Sequence, residues 1–434
     1  MLLDCIPIRM HHRKHSNPLE VSQTKRDPPR LPNELWMNVL EIASYPGIII
    51  GDEACPPDEI ERFIIMRGQD QGAAAAGHLF QKTKKRLGAV CRLWRQLVDA
   101  IIWKEWIIDL SSAPESIKRL EKMTGPTQKP VSRLNVRFSD GGDIKLVHCP
   151  PVSSLTIAIH PARVWGRTTL DTLASILHHP TVLRSLHLTL TALPDTNPDF
   201  LSPLASPDVP LLTLSLKISD VRIFHPTLTF PYITTFSIQT MHSGRDPGAA
   251  RPTSWNLPSL INLSIQCPIG ILDPQMETFI SHLFVKQLRG LRMVWPHSAG
   301  IDTSLPGFWR GLPKLEVLST EFAALFYDRG GKTLPPHALN DLLRRILPSN
   351  LRLRHLIQNG YSRPVEFVPG ILEILKHCSK PDTISLSPAT GNLAFNSDEE
   401  QRLAIGELQT ICRSRGIRIL DAEGVEIREM SKSR

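Results

Sequence analysis

Several residue patterns in this chain have the types that do chemistry, and each lacks a partner the chemistry needs. Gly331-Lys332-Thr333 has the ending of a loop that cradles phosphates with backbone N–H groups and a lysine. That loop needs a glycine five positions earlier, where Phe326 stands, and a helix directly after it, where Pro335-Pro336 stand. We read it as a turn. The cysteines at 5, 55, 91, 149, 267, 378 and 412 are scattered, with no CxxC pair at zinc-ligand spacing. The pairs His11-His12 and His178-His179 lack carboxylate or cysteine partners at ligand spacing, and neither HExxH nor GxSxG occurs. Asn262-Leu263-Ser264 is a glycosylation sequon, which has no meaning inside the cell. The expectation is a non-catalytic protein with no active site, cofactor or metal.

The rest of the composition narrows the class further. A chain of 434 residues is too long for one small core, which predicts two units or a repetitive array. Hydrophobic residues at 41% and charged ones at 21% describe a folded protein. A net charge of +8 is thin over this length and gives no reason to expect nucleic acid. No apolar run has the roughly 18 residues of a membrane span, so no membrane partner is expected. The opening Met1 to Pro7 is interrupted by Asp4 and Pro7, which makes a poor secretory signal. An odd, scattered set of thiols fits a reducing compartment, so the expected location is cytoplasmic or nuclear. Basic clusters at His11 to His15 and Lys82 to Arg86 have the composition of import signals, but read more readily as a solvated arm and loop.

Four regions follow from the pattern along the chain. Residues 1–29 are basic and proline-punctuated and read as a disordered arm. Residues 30–110 read as a helical module interrupted by an inserted loop at 46–82. Its first helix runs from Pro32 to Ser44, with Leu35, Trp36, Val39, Leu40 and Ala43 at helical spacing. Its second carries Leu87, Val90, Cys91, Trp94, Leu97 and Val98, and Ile101 to Trp106 form a short third apolar element. Residues 111–425 repeat the phrase apolar-x-x-apolar-x-apolar, beginning at Val131, Val152, Leu183, Leu211, Ile233, Leu260, Leu288 and, in weaker form, Leu315. These starts are 21, 31, 28, 22, 27, 28 and 27 residues apart, a period in the range of leucine-rich repeats. Segments at Leu353, Thr383 and Ile417 predict strands of irregular final repeats, and Ser397 to Glu400 opens a helix that Gly416 ends. Residues 426–434 are a polar tail. The expected fold is therefore α/β: a helical module followed by a solenoid whose strands form one parallel sheet.

Two blocks carry a family resemblance. Leu31-Pro32-Asn33-Glu34-Leu35 resembles the Leu-Pro-x-Glu-Leu opening of the F-box family, and Val90-Cys91-Arg92-Leu93-Trp94-Arg95-Gln96-Leu97 resembles its Val-Cys-x-x-Trp-x-x-Leu helix. Trp103 stands where the family often has a tryptophan. An F-box ordinarily joins these blocks by a short connection, whereas here the loop 46–82 intervenes; a threefold longer loop costs only about 1 kcal/mol of closure entropy. The resemblance implies a three-helix module that binds a Skp-family adaptor, and through it a cullin, as part of an SCF-type ubiquitin ligase. The adaptor contacts it implies are Leu31, Pro32, Leu35, Val39, Val90, Cys91 and Trp94. A repeat scaffold without a ligase role, capped by the same helices, is the alternative.

The residues between the buried apolar positions of each repeat should point to an open face of the sheet. From Arg133 to Val294 none of them is acidic, and Arg133, Arg137, Lys217 and Arg292 are basic. Together with His187, these are the candidate contacts for a client protein, with an acidic or phosphorylated segment as the expected ligand. The same positions are rich in Ser and Thr, which are also ordinary solvent-facing strand residues.

Overall fold

The computed structural model describes residues 32–33, 35–36, 39–40, 86–102, 105–109, 133–138, 154–159, 183–190, 201–218, 227–240, 254–266, 279–280, 283, 286–294, 312–320, 322, 341, 343–344, 352–358, 363–378, 381–386, 399–420 and 426–427. The inserted loop 46–82, the arm 1–29 and the Gly331-Lys332-Thr333 turn lie outside them.

The protein is mixed α/β and is built on one large parallel sheet. Twelve strands follow one another in chain order: β1 (Glu105–Asp109), β2 (Arg133–Phe138), β3 (Ser154–Ile159), β4 (Ser185–Leu190), β5 (Thr213–Ile218), β7 (Thr235–Thr240), β9 (Asn262–Gln266), β10 (Gly290–Val294), β11 (Val317–Thr320), β12 (His355–Gln358), β13 (Thr383–Leu386) and β14 (Arg418–Leu420). Two short strands, β6 (Thr227–Thr229) and β8 (Ser254–Asn256), pair beside it as a separate parallel ribbon. The repeated apolar phrase supplies the sheet's strands, and its central residue sets the register. Leu134, Leu155, Leu186, Leu214, Phe236, Leu263, Leu291, Leu318, Leu356, Ile384 and Ile419 align across successive strands. Because side chains alternate with period two, a slip of one residue would turn this whole row out of the core. From Leu155 to Ile419 the row is buried, and each such side chain contributes roughly 2 kcal/mol of apolar burial.

Consecutive turns of the array are tied in two ways. From β4 to β12 the carbonyl before the strand accepts two N–H groups of the next turn, as Arg184 does from Leu212 and Thr213, and Arg289 from Glu316 and Val317. At this level Arg289 and Glu316 form a two-point ion pair (3.0 and 2.7 Å), and Arg354 reaches Asp382 at 3.1 Å. Ahead of the strands an apolar-Pro-x-apolar turn recurs at Phe230-Pro231-Tyr232-Ile233, Leu257-Pro258-Ser259-Leu260 and Leu312-Pro313-Lys314-Leu315. Proline presets the dihedral of the first turn position, and both apolar ends are buried. Ser259 Oγ donates to Pro231 O at 2.6 Å, joining one turn to the next. These turns account for part of the chain's high proline content.

Three boundaries differ from the sequence reading. Strand β1 lies inside the segment expected to complete a helical module: Ile101 and Ile102 end helix α1 (Arg92–Ile102), but Trp106 belongs to a strand paired with β2. At the far end Glu426 bridges to Leu420 and Ile427 N–H donates to Ile419 O at 2.9 Å, so pairing continues past residue 425. The buried row that includes Ile157, Leu188, Leu216, Ile238, Ile265 and Met293 also turns polar at Thr320 and Gln358. A buried amide needs a partner, and Gln358 Oε1 accepts the N–H of Phe322 at 2.9 Å, anchoring the chain as it leaves β11.

Helices α2 (Pro364–His377) and α3 (Glu399–Arg415) lie side by side, and side chains of α3 satisfy both ends of α2. Pro364 occupies the first helical turn of α2, and the Glu366 carboxylate turns back to the Arg363 N–H at 3.0 Å. Buried Gln401 of α3 accepts the Val365 N–H at 3.3 Å, and Arg415 Nη1 donates to Leu375 O at 2.9 Å. These fill orphan backbone positions at opposite ends of α2. Gly416 ends α3 as its position in the sequence predicts. It adopts φ 63°, with Gly416 N–H to Arg413 O (3.0 Å) and Ile417 N–H to Cys412 O (2.8 Å). Gly416→Ala should therefore cost about 1 kcal/mol by forcing a Cβ into the left-handed region. Urea unfolding checks this, and an unchanged midpoint would mean that the cap contributes nothing.

Candidate functional site

The N-terminal helices sort their apolar residues into two stripes. Residues 33, 35, 36, 39 and 40 are helical, with Trp36 N–H donating to Pro32 O at 3.1 Å. Trp36 and Leu40, four apart, turn inward to a small core with Leu97 and Val98, against which Leu87 and Trp94 also pack. The Trp36 and Trp94 rings meet at 5.4 Å, tilted by 54°. Leu35 and Val39, also four apart, form the other stripe and are 47% and 46% exposed. On the second block Val90 (61%) and Leu93 (38%) are likewise exposed. Isolated surface leucines are common; four exposed large apolar side chains within these two short blocks are apolar area that a partner could cover.

The second block is not one continuous helix. Residues 86–88 are helical, Ala89 and Val90 form a turn, and α1 begins after Cys91. Cys91 occupies the N-cap position: its carbonyl accepts the Arg95 N–H at 3.0 Å and its Sγ accepts the Trp94 N–H at 3.4 Å. Sulfur is a weak acceptor, so a hydroxyl would cap better. We expect Cys91→Ser to keep or raise the melting temperature and Cys91→Ala to lower stability by roughly 0.5–1 kcal/mol. Differential scanning calorimetry distinguishes them, and equal melting of the two variants would remove the capping role.

Of the residues the family resemblance implied, Leu31 lies outside the described residues. Pro32, Leu35, Val39, Val90 and Cys91 are exposed. Trp94 is half-buried and packs on Trp36 and the small core. The reading overlooked Leu93, and its spacing gave no signal: four residues before buried Leu97, it stands on the same side of the helix and yet is 38% exposed.

The open face of the sheet is not uniform along its length. In the row nearest the strand starts, Ser185, Thr213, Thr235 and Asn262 are buried and partly satisfy one another, as Asn262 Nδ2 does with Thr235 Oγ1 at 3.4 Å. In the middle row His187, Ser215 and Ser237 are half-buried, whereas Ser264, Arg292, Ser319, Ile357 and Ser385 are buried. Along the middle row the accessible part therefore ends near β7, while in the outer row Gln266 and Val294 stay half-buried like Gln239. This corrects the expectation for Arg292, which is only 3% exposed and presents no charge to solvent. His187 and Lys217 stand diagonally on adjacent strands, both half-buried, with His187 Nε2 at 3.0 Å from Ser185 Oγ. Arg292 is three strands further on than Lys217, about 14 Å away at ordinary strand spacing, so the structure does not bring it to them. Arg133 and Arg137 are in register with Glu105 and Asp109 of β1.

Two thiols in the C-terminal helical layer are chemically quiet. Burial pushes the Cys378 thiol up to about 12 and the Cys412 thiol to about 11, the latter opposed slightly by Arg415. At neutral pH both stay protonated and are poor nucleophiles or metal ligands. Among the described residues no three His, Cys, Asp or Glu side chains converge as a metal site, and no helix is long and apolar enough to cross a membrane. No family model matches the chain, and no curated protein matches it.

Proposed function

We propose that this chain is the substrate-recognition subunit of an SCF-type ubiquitin ligase. Its F-box-like helices would bind a Skp-family adaptor, and through it a cullin, and a leucine-rich-repeat-like solenoid would hold the client. The observation that carries the reading is the exposure of Leu35, Val39 and Val90, three residues that the family resemblance assigns to adaptor contact. Their helical neighbours Trp36, Leu40 and Leu97 already form a core, so the exposed stripe is available to a partner. The solenoid reading is supported by a sheet whose order follows the chain and whose turns recur near every 27 residues. The client surface is the accessible stretch around His187, Ser215, Lys217, Ser237 and Gln239, where hydroxyls, an amide and one ammonium suit an acidic or phosphorylated segment. Ubiquitin transfer itself falls to other subunits.

One observation favours the scaffold alternative: α1 leads into β1, the edge strand of the sheet, where a capping element would sit. Co-expression separates the two readings. The adaptor role predicts that the full chain and a Skp-family adaptor elute together in size-exclusion chromatography as a stoichiometric complex. Separate elution at micromolar concentration favours the scaffold.

A further inference from the structure

The turns that lead into the strands of the sheet differ in charge along the array. In the four residues ahead of β5, β7 and β9 no side chain is charged. The same positions ahead of β10 to β14 hold Lys286, Arg289, Lys314, Arg352, Arg354, Lys380 and Arg415 against Glu316 and Asp382. That is a net of +5 in five short turns, where the whole chain carries +8. Both carboxylates are held inside the set, Glu316 by Arg289 at 2.7 Å and Asp382 by Arg354 at 3.1 Å. Lys314 and Arg352 are exposed and take part in no ion pair among the described residues, and exposed Arg415 donates to a carbonyl, Leu375 O. Lys380 lies outside the described residues. The helical residues ahead of these turns do not cancel the excess: Arg344, Lys376 and Arg413 stand there with Asp341 and Glu373, and Glu373 pairs with Lys376. A helix C-terminus accounts for Arg413 and Arg415 in the last turn of α3, but Lys314 and Arg352 belong to no helix.

The pairing of the strands sets these cations in line. β10 to β14 are neighbours in register, and the backbone ladder begins one residue ahead of them, ending with Arg418 N–H on Asp382 O at 3.2 Å. Lys314, Arg352 and Arg415 each stand three residues ahead of a strand, so they take equivalent places on the flank where the strands begin. At ordinary strand spacing the five turns span about 19 Å. Their apolar residues Leu288, Leu315, Leu353 and Ile417 are buried, which leaves neither an apolar centre for a folded partner nor a side chain to insert into lipid. A row one side chain wide fits a single extended chain better than the two phosphate rows of a duplex. Single-stranded nucleic acid draws much of its affinity from stacking on aromatic rings, and the one exposed aromatic ring among the described residues, Tyr232, stands ahead of β7. We infer that this flank binds an extended Asp- and Glu-rich segment of a partner protein, about six residues of which span the row. Arg352 can take a carboxylate through two N–H groups, and Lys314 acts as a point charge beside it. The surface is separate from the helical module and from the open face of β4 to β7, so the inference depends on neither.

The test uses the full chain and a fluorescein-labelled peptide of alternating Asp and Glu, followed by fluorescence anisotropy at about 50 and about 300 mM NaCl. Saturable binding is expected at low salt, weakening about ten-fold or more at high salt. The variant K314E/R352E should bind at least about ten-fold more weakly at low salt with an unchanged circular-dichroism melt, since both side chains face solvent. K314Q/R352Q should fall between it and the wild type. R86E/R92E, an equal change of net charge on the helical module, should bind the peptide as the wild type does. No binding of the peptide, or equal binding by K314E/R352E and the wild type, would overturn the inference. So would an equal loss in R86E/R92E, which would make the effect one of net charge alone. Tighter binding of a uridine oligonucleotide or of phosphatidylserine vesicles than of the peptide, lost in K314E/R352E, would assign the row to nucleic acid or to lipid instead. None of these outcomes bears on adaptor binding, which is measured separately.

Discussion

Replacing Trp255 with alanine should cost about 3–5 kcal/mol of folding stability, the range for removing a large aromatic side chain from a packed core. Trp255 lies on β8, outside the main sheet, and is fully buried between three other rings. Its centroid is 5.1 Å from Phe230, 5.8 Å from Phe236 and 5.5 Å from Phe279, and the last pair meets nearly edge-on at 85°. Phe230 belongs to an apolar-Pro-x-apolar turn, Phe236 to the central row of the sheet, and Phe279 to the helical segment behind it. One side chain thus joins three successive turns of the array. Trp255→Phe keeps part of the contact and should cost less. Urea unfolding followed by circular dichroism measures both. A loss below about 1 kcal/mol for the alanine variant would mean that the cluster is not packed as described.

The second large effect concerns the exposed stripe. Leu35→Asp combined with Val90→Asp should weaken adaptor binding by at least about 100-fold, because each change removes apolar contact area and places a carboxylate inside a dry interface. The same pair should leave the thermal melt of the free chain nearly unchanged, since both side chains already face solvent. Trp36→Ala and Leu40→Ala should do the reverse and lower the stability of the module first, since those side chains form or pack against its core. Calorimetric titration against the adaptor, run beside thermal melts of each variant, separates docking residues from core residues. A Leu35 and Val90 variant that binds as well as the wild type would remove the stripe from the interface.

Much of the sheet was legible in the residues because its strands obey a two-residue alternation with leucine at a fixed place, and burial on that scale leaves a repeating trace. The phrase led to the register even at Phe236, which replaces leucine, whereas the strands of Ile384 and Ile419 were legible only as irregular final repeats. It weakened at β11 and β12, where Thr320 and Gln358 occupy buried positions: a polar residue held by one internal hydrogen bond looks like an exposed one in sequence. Arg292 misled for a related reason. Alternation says which side of the sheet a residue occupies, but not what covers that side, and coverage depends on tertiary neighbours. Strand β1 was hidden because Trp106, Ile107 and Ile108 form a short continuous apolar run, which suits a helix or a buried strand equally. The exposed stripe was legible in part, since Leu35 and Val39 share a helix face, but the same spacing includes Trp36 and Leu40. Only packing decides which of two adjacent stripes turns inward.

Adaptor docking is proposed to fall on the residues around Leu35, Val39 and Val90. Hydrogen–deuterium exchange of the full chain with and without the adaptor tests it most directly, since it locates the contact without altering a residue. Docking there should slow exchange in peptides covering 32–40 and 86–98 and leave exchange unchanged across β4, β5 and β7, where the client would bind. Protection confined to the open face of the sheet, with none in the helical module, would contradict it.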